Sequence, residues 1–334
     1  MANIFLNHVC NLSCGYCFAN RLAKPKRQHM KLEDFRKAAD FIARDDEQIG
    51  IMGGEPTLHP QIDAILEYLC ETDAIQDVIY FTNGILIDKY LDLLSRTKIK
   101  VLINCNSPDV IGENNYRRLS ENIRKSIEIY GMKSRICLGL NIYSPNIDYR
   151  YIVDMLKEFG FDFLRLSISA PNFEITEEYN ALQYFFSMKS VTMRIIRDAL
   201  NVGAVPVFDC NKPPICWLTK KERISIFELM CGRVSNVILS ESNCYPIVDI
   251  LSDLSAVRCM GFSNGPVVKI EDFSSLGALR DYFISHVDIP YSTKTIDQRC
   301  NLCKFHMRQI CNPGCLVYKT RLVNEVPSQP APGL

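Results

Sequence analysis

The sequence predicts an α/β protein, a partial (β/α)6 barrel followed by a smaller cysteine-rich domain. Over residues 4–169, short β-rich apolar runs alternate with longer stretches whose apolar residues recur at helical spacing. Strands that alternate with helices of this length require crossover connections, so they form a parallel sheet. Six such units cover too little chain for a closed eight-unit barrel, which predicts an open barrel with a wide mouth.

The strand ends predict where the site of this barrel lies. Strands are predicted over 4–9, 49–54, 77–84, 100–107, 135–143 and 163–169. Amphipathic helices are predicted between them, two of which end at Gly131 and Gly160, and a longer helix is predicted over residues 176–202. Nearly every strand ends in Gly, Asn, Ser or Cys, and in TIM-like barrels the active site lies at the carboxyl ends of the strands. These polar ends therefore predict one shared site.

The domain boundary is predicted at a proline-rich stretch, VPVFDCNKPPICWL, that follows the long helix. We expect the partial barrel to occupy residues 1–205 and the cysteine-rich domain to occupy residues 206–325. Residues 326–334, VPSQPAPGL, form a proline-containing tail that we expect to be flexible. No internal repeat interrupts this organisation.

The composition limits the partners. The 334 residues include 38 basic and 38 acidic side chains, so no overall charge attracts nucleic acid or an anionic membrane. No apolar run reaches the roughly 18 residues that span a bilayer, and the expected location is the cytoplasm. Fifteen cysteines are a large excess in a reducing compartment, and such an excess indicates metal ligation or thiol chemistry rather than disulfides.

Three of the cysteines, Cys10, Cys14 and Cys17, are spaced C-x3-C-x2-C in the segment CNLSCGYC. Three thiolates leave one position of a four-iron cluster open, and an open position is where a metal centre does chemistry. With Tyr16 just before the last cysteine, the segment resembles the signature of the radical S-adenosylmethionine (radical SAM) superfamily. The resemblance implies a 4Fe–4S cluster on these three cysteines.

A second segment, GGEP, ends the second predicted strand. Its glycines let the backbone approach a ligand closely, and a carboxylate can receive an ammonium group. In the radical SAM superfamily this motif, here Gly53, Gly54, Glu55 and Pro56, holds the amino group of S-adenosylmethionine, which binds the fourth iron. The resemblance implies reductive cleavage of S-adenosylmethionine to a 5′-deoxyadenosyl radical, which abstracts a hydrogen atom from a substrate.

Further residues match positions where superfamily members contact the cofactor. Asn106 and Ser107 end the fourth predicted strand, where relatives bind the ribose or the carboxylate of S-adenosylmethionine. Arg135 stands on the fifth predicted strand, where relatives place an arginine for the carboxylate of S-adenosylmethionine. Tyr16 is also predicted to contact the cofactor. The alternative role for Asn106 and Ser107 is capping of a turn, and for Arg135 it is a surface ion pair.

A second cysteine pattern lies near residue 300. It is spaced C-x2-C-x7-C-x3-C, and a predicted hairpin upstream carries a cysteine near each strand end. This arrangement resembles the SPASM or twitch-like extension of peptide-modifying radical SAM enzymes, including sulfatase-maturating enzymes, which holds auxiliary 4Fe–4S clusters. The resemblance assigns one auxiliary cluster to Cys216, Cys231, Cys244 and Cys315, and places three irons of a second on Cys300, Cys303 and Cys311.

The pattern departs from that family at the second auxiliary cluster. Relatives supply a further cysteine well after the C-x3-C pair, whereas this sequence has none beyond Cys315. Either Cys259 completes the cluster, or the cluster keeps an open iron or does not form. Structural zinc sites are the alternative for these cysteines. Cys210 is the predicted catalytic thiol, because a free thiol facing the cavity could return a hydrogen atom to a substrate radical.

The predicted function is modification of a peptide, such as crosslinking, oxidation or epimerisation, by a radical SAM oxidoreductase acting as a peptide maturase. A small-molecule intermediate of natural-product synthesis is the alternative substrate. A non-catalytic iron–sulfur or zinc protein is the alternative from another class, and GGEP argues against it because a carrier needs no amino-group receptor. Expected partners are a one-electron reductant such as flavodoxin or ferredoxin and, with nine residues before Cys10, a separate leader-peptide recognition protein.

Overall fold

The computed structural model describes residues 1–17, 29–46, 48–170, 181–208, 213–229, 247–262, 265–311 and 315–319. Within them one sheet is formed by β1 (Ala2–Phe5), β2 (Gln48–Met52), β3 (Asp77–Thr82), β4 (Ile99–Asn104), β5 (Ile136–Ile142), β6 (Phe163–Ile168), β7 (Val205–Phe208), β8 (Asp249–Ile250), β9 (Ser255–Val257) and β10 (Val267–Lys269). The strand order is β10-β9-β8-β1-β2-β3-β4-β5-β6-β7.

The helices of the described residues lie between and after these strands. They are α1 (Leu32–Ala43), α2 (Ile62–Glu71), α3 (Leu91–Leu94), α4 (Pro108–Ile111), α5 (Glu113–Glu128), α6 (Arg150–Phe159), α7 (Ala181–Ser187), α8 (Lys189–Asn201), α9 (Lys220–Leu229), α10 (Leu276–Phe283), α11 (Ile289–Ser292), α12 (Lys304–Met307) and α13 (Leu316–Lys319). None of these helices is both long and apolar enough to cross a membrane.

Strands β1 to β7 are parallel and pair in sequence order. The predicted α/β partial barrel is therefore confirmed. A seventh parallel strand extends the six that the sequence predicts, because Val205 to Phe208 pair with β6. This strand crosses the predicted domain boundary at residue 205, and the boundary itself stays a prediction.

The outer face of the barrel packs under amphipathic helices. Helix α6 ends at Gly160 and α5 is followed by Gly131, both with the left-handed backbone that glycine adopts easily, so these predicted helix ends are confirmed. The helix predicted over residues 176–202 is instead two helices, α7 and α8, that meet at Met188. The hydroxyl of Ser187 donates to the carbonyl of Tyr184, which competes with the helical hydrogen bonds there.

The C-terminal part of the described chain is attached to the first strand of the barrel. Strand β8 pairs in parallel with β1, and β9 and β10 follow it in antiparallel pairs. Asp249, on β8, is buried and accepts hydrogen bonds from Nδ2 of Asn3 and from the N–H of Met260, both at 2.6 Å. Burial raises the pKa of Asp249 to about 6. This carboxyl group links the barrel to the segment that follows Cys259.

Replacing Gly50 by alanine is expected to destabilise the barrel. Its Cβ would lie 1.9 Å from Oδ1 of Asn3, and Asn3 is held in place by Asp249. Overpacking of this kind costs about 1–3 kcal/mol, so thermal unfolding should show a lower Tm. Gly277→Ala is the matched control, because the nearest atom to its Cβ would be 3.5 Å away in ordinary contact. Equal Tm values for the two variants would contradict the expectation.

The buried Asp249 predicts a pH dependence of stability. Its pKa is about 6 in the folded chain and about 3.8 when unfolded, so between these values the folded chain keeps a proton that the unfolded chain loses. The free energy of unfolding should therefore fall by up to about 3 kcal/mol as the pH rises from about 4 to 6. In Asp249→Asn the new side-chain amide has no titratable proton. Its oxygen could accept from the N–H of Met260, and its NH₂ could donate to Oδ1 of Asn3, which has no partner now, if the Asn3 amide rotates. Tm of Asp249→Asn measured against pH should then lack the decline between pH 4 and 6 that we expect for the unmodified chain. If the two proteins give parallel profiles, Asp249 does not cause the decline.

Candidate active site

Residues 7–17, which include the three cysteines of CNLSCGYC and which we call the cysteine loop, run beside the GGEP turn. The parallel pairing of β1 and β2 continues beyond both strands. The N–H of Gly54 donates to the carbonyl of Asn7 at 2.7 Å, and the N–H of Glu55 donates to the carbonyl of Val9 at 2.8 Å. The GGEP turn is therefore bonded to the residues that lead directly into Cys10, at the carboxyl ends of neighbouring strands.

The glycines of GGEP are required for this contact. A Cβ on Gly54 would lie 2.4 Å from the carbonyl oxygen of Val9, and one on Gly53 would lie 3.0 Å from that of Asn7. Any side chain at these positions would push the cysteine loop away. The sequence predicts that these glycines let the backbone approach a ligand closely. In the structure they also let it approach the backbone of Asn7 and Val9.

The carboxylate of Glu55 is buried and holds the turn. It accepts hydrogen bonds from the N–H of Thr57 at 3.1 Å, the hydroxyl of Thr57 at 2.7 Å, the hydroxyl of Thr82 at 2.8 Å and the N–H of Asn83 at 2.8 Å. Burial raises the pKa of Glu55, and these donors oppose that effect. Pro56 begins the 3-10 turn that they hold. The carboxylate therefore shapes the turn, with three of these donors on Oε1 and one on Oε2, and its contact with an ammonium group stays a prediction.

Cys10, Cys14 and Cys17 form no disulfide and are at least partly exposed. The N–H of Cys17 donates to the carbonyl of Cys14 at 3.0 Å, which closes a turn. Burial, and then the charges of Glu55, Cys14 and Cys17, raise the pKa of Cys10 to about 11. The three thiols therefore lie close enough to interact electrostatically.

The structure does not by itself identify a metal site at these thiols. Among the residues it describes, no three Cys, His, Asp or Glu side chains are grouped so that they could hold one metal ion. The four-iron cluster on these cysteines therefore stays a prediction.

The predicted residues Tyr16 and Asn106 are brought together. The hydroxyl of Tyr16 donates to Oδ1 of Asn106, and its ring stacks on that of Tyr143 with the ring centroids 4.6 Å apart. Burial raises the pKa of Tyr16, so its hydroxyl keeps its proton at neutral pH. Ser107 is buried next to Asn106 and stands at the N-cap of α4 without a side-chain capping bond.

Arg135 lies at the other end of β5 from this group. It ends a 3-10 turn just before β5, at the amino end of the strand. Its Nη1 donates to the carbonyl oxygens of Arg96 at 2.7 Å and Ile99 at 3.3 Å. The seven residues of β5, roughly 23 Å of strand, separate it from the carboxyl ends. These bonds give the guanidinium a role at the amino end of the sheet, and its contact with the cofactor stays a prediction.

The sequence prediction missed a polar group on the inner face of the barrel. Nη1 of Arg165 donates to Oδ1 of Asn141 at 2.8 Å and to Oδ1 of Asn104 at 3.5 Å. Gly139 on β5 pairs in register with Asn104 on β4 and with Arg165 on β6. It leaves room for the Arg165 side chain to reach across β5, because a Cβ on Gly139 would lie 3.1 Å from Oδ1 of Asn104. Asn141 also lies close enough to the hydroxyl of Tyr16 to lower its pKa, against the larger effect of burial, so the group adjoins the cysteine loop. The available signal was a single charged residue within the apolar strand FLRLSIS.

Part of the predicted auxiliary set lies outside the described residues. Cys210, Cys231 and Cys244 are there, so the roles predicted for them stay predictions. Cys259 lies near α13, the helix that follows Cys315. A Cβ added to Gly261 would lie 4.0 Å from Sγ of Cys259 and 3.8 Å from Cβ of Val317, which is in α13.

The other auxiliary cysteines form a group that the resemblance did not predict. Burial, and then the charges of Cys216, Asp297, Cys311 and Cys303, raise the pKa of Cys300 to about 11. Cys216, Cys300, Cys303 and Cys311 therefore lie close enough to interact electrostatically, and which cluster each of them serves stays a prediction.

The family of the barrel follows from comparison with known proteins. Residues 4–141 match the Radical SAM superfamily, and this segment includes the cysteine loop and the GGEP turn. The chain therefore contains a radical SAM domain, and the resemblance carried by the two motifs is confirmed.

The curated relatives differ in the reactions that they serve. The GTP 3′,8-cyclase of Mannheimia succiniciproducens is 28% identical over 131 residues, which cover 36% of this chain and 39% of that protein. The antilisterial bacteriocin subtilosin biosynthesis protein AlbA of Bacillus subtilis is 32% identical over 114 residues, 34% of this chain and 25% of that protein. The chain therefore spans well under two thirds of the length of these relatives.

Solved structures share the fold over nearly the whole chain. SuiB of Streptococcus suis bound to precursor peptide SuiA superposes with a TM-score of 0.60 at 19% identity, covering 95% of this chain and 71% of that one. The protein anSMEcpe with bound AdoMet and Kp18Cys peptide superposes with a TM-score of 0.65 at 18% identity, covering 94% and 88%. The likeness is one of fold, and it extends beyond the barrel into the cysteine-rich part.

The residues at the candidate site fit a four-iron cluster with S-adenosylmethionine. One loop supplies three cysteines that form no disulfide, and clusters of this kind are held by cysteine thiolates. Next to Gly53, the fully buried Oδ1 of Asn7 has no hydrogen-bond partner among the described residues. An unpaired acceptor beside the GGEP turn suits a ligand that brings an amino group.

Replacing Glu55 by glutamine is expected to loosen the turn. One oxygen would become an NH₂ group facing N–H or O–H donors, and leaving such groups unpaired costs about 1–3 kcal/mol. We expect a lower Tm for the chain without metal and weaker binding of S-adenosylmethionine by the reconstituted protein, measured by equilibrium dialysis. Glu67→Gln makes the same chemical change on the exposed face of α2 and is the control. Indistinguishable Tm values for the two variants would refute the structural role of Glu55.

Proposed function

We propose that this protein is a radical SAM enzyme that cleaves S-adenosylmethionine reductively and abstracts a hydrogen atom from a peptide. The observation that carries the proposal is the backbone contact between the cysteine loop and the GGEP turn, within the segment that matches the superfamily. It brings three thiols and a ligand-binding turn to the carboxyl ends of adjacent parallel strands, where barrels of this kind bind their substrates.

The chain's own residues supply ligands and orientation. Cys10, Cys14 and Cys17 would hold a four-iron cluster, and the GGEP turn would hold S-adenosylmethionine. Together these groups, when bound, supply one-electron reduction and a 5′-deoxyadenosyl radical. The hydroxyl of Tyr16 binds Asn106 across the barrel, which fixes the last turn of the cysteine loop against β4. The protein thereby positions the reacting groups and keeps water away from them.

A peptide is the substrate that the fold supports best. SuiB and anSMEcpe, which share the fold over more than nine tenths of this chain, have been solved with bound peptides. AlbA serves the synthesis of a bacteriocin. The sheet is open, with β7 and β10 as its edges among the described residues, so the barrel mouth has room for an extended chain. Crosslinking, oxidation and epimerisation of a peptide all begin with abstraction of a hydrogen atom from the peptide.

A nucleotide is the second candidate substrate. GTP 3′,8-cyclases are among the curated relatives, and Arg165 presents a guanidinium on the inner face of the barrel. Asn104 and Asn141 orient this group, and a guanidinium held in one orientation suits a phosphate.

The remaining parts of the proposal concern cofactors and partners. One or two auxiliary 4Fe–4S clusters would lie in the cysteine-rich part, and a one-electron reductant such as flavodoxin or ferredoxin would supply electrons. Cys210 would return a hydrogen atom to the substrate, and a separate protein would recognise a leader peptide. We place the reaction in the cytoplasm, where thiols stay reduced.

The central test is formation of 5′-deoxyadenosine. After anaerobic purification and reconstitution with iron and sulfide, the protein is reduced in the presence of S-adenosylmethionine, and the product is measured by chromatography. We expect product from the unmodified chain and none above background from Cys17→Ala, because two thiols cannot hold the cluster. Cys70→Ala, which removes a half-buried thiol on α2, is the control and should keep activity.

The substrate is tested in the same assay. Short peptides encoded beside this gene are supplied in one arm and GTP in the other, and both are followed by mass spectrometry. A mass change in a peptide supports the first candidate, and consumption of GTP supports the second. If the reconstituted protein forms no 5′-deoxyadenosine with any substrate or reductant, the catalytic proposal fails and an iron–sulfur carrier becomes the better account.

A further inference from the structure

The segment that carries the three cysteines of the cysteine loop leaves and rejoins the first strand at one place. It leaves at the end of β1, where Asn7 forms an antiparallel bridge with His29. It returns at Met30, whose N–H donates to the carbonyl of Leu6 at 2.8 Å. The two ends of the segment therefore lie side by side, and the three cysteines come between them in the sequence.

The GGEP turn holds the outgoing end of this segment. The N–H of Gly54 donates to the carbonyl of Asn7 at 2.7 Å, and Nδ2 of Asn7 donates to the carbonyl of Glu55 at 3.0 Å. Asn7 is fully buried, and hydrogen bonds are stronger away from water. The start of the cysteine loop is thus bonded to the turn through both its backbone and its side chain.

His59, which follows the GGEP turn, holds the returning end. It is 2% exposed, and its Nε2 lies 2.7 Å from the carbonyl oxygen of Met30. A carbonyl only accepts, so Nε2 carries the proton of the ring. Nδ1 accepts from the N–H of Gln61, at the N-cap of α2, at 3.1 Å. The two ring nitrogens therefore bind two different parts of the chain.

The neutral ring of His59 is the form that makes both bonds. Burial lowers the pKa of His59, against the opposing effect of the bond to Met30, so the ring carries a single proton at neutral pH. The ring of His29 packs edge-on against that of His59, with the ring centroids 5.5 Å apart. His59 thus contacts both residues at which the segment returns.

We propose that His59 is a positioning residue that links the return at Met30 to the GGEP turn, so that one turn holds both ends of the segment carrying the three cysteines. The inference rests on the proposed function in taking those cysteines to hold a four-iron cluster. Holding both ends removes conformational freedom that the segment would otherwise lose when it binds the cluster, and this favours binding. His59 acts through the backbone rather than by contact with the cluster.

The alternative role of His59 is to start α2 through Gln61. The two roles use different ring nitrogens, so two amide variants separate them. In His59→Gln the side-chain NH₂ lies near the position of Nε2 and can donate to Met30. In His59→Asn the shorter side chain places its oxygen near the position of Nδ1, where it can accept from Gln61 but cannot reach Met30. His286→Asn, at an exposed position after α10, is the matched control.

The first measurement is hydrogen exchange of the chain without metal, by mass spectrometry of a peptide that contains Met30. In His59→Asn the carbonyl of Met30 loses a buried bond, so we expect this peptide to exchange roughly tenfold faster than in the unmodified chain. In His59→Gln and in the control, exchange should stay within about twofold of the unmodified chain.

The second measurement is the rate at which the cysteine loop loses iron. After anaerobic reconstitution with iron and sulfide, iron loss to a chelator is timed, and the iron bound when alanine replaces all three cysteines of the loop is subtracted. We expect His59→Asn to lose iron roughly tenfold faster than the unmodified chain, and His59→Gln to restore the slow rate. A role confined to the start of α2 would instead impair His59→Gln and spare His59→Asn.

The inference is overturned if His59→Asn matches the unmodified chain in either measurement, or if His59→Gln is impaired as much as His59→Asn. Exchange of the metal-free chain requires neither a cluster nor cleavage of S-adenosylmethionine. Unchanged exchange in His59→Asn therefore refutes this inference alone, whereas an unmodified chain that binds no iron at the cysteine loop refutes the proposed function.

Discussion

The candidate site depends on the hydrogen bonds that continue the pairing of β1 and β2 beyond the ends of both strands. They hold the cysteine loop against the GGEP turn, and they form only because Gly53 and Gly54 carry no side chain that would separate the two segments. Glu55 extends the same network to the turn after β3, and Asn83 in that turn donates to Asn11 in the cysteine loop at 2.7 Å. The ends of three adjacent strands are thus held together by one set of bonds.

The same first strand also carries the C-terminal part of the chain. Asn3, on β1, binds Asp249 on β8, and Asp249 binds the N–H of Met260, next to Cys259. Close by, the buried guanidinium of Arg258 is paired with Asp288 at 2.7 Å. A buried charge of this kind is costly to leave unpaired, so these contacts favour one arrangement of the segment. The cysteine-rich part and the cysteine loop are therefore attached to the two ends of one strand.

The inner face of the barrel is polar where a substrate would lie. Arg165, Asn141 and Asn104 form a connected group, and Tyr16 joins it to the cysteine loop. Hydrogen bonds in a partly buried network hold their members in fixed orientations. This group places one cation and two amides on the inner face of the barrel, next to the carboxyl ends of the strands.

The sequence by itself determined the α/β class, the helix ends at Gly131 and Gly160, and the radical SAM motifs. These features depend on local periodicity, backbone freedom and fixed spacing, which are readable along the chain. Only the tertiary structure decided that Arg135 lies at the amino end of β5 and that Arg165 lies on the inner face beside Asn104 and Asn141. Both depend on which strands pair, and Arg165 meets Asn141 and Asn104, 24 and 61 positions away, only through the pairing of whole strands.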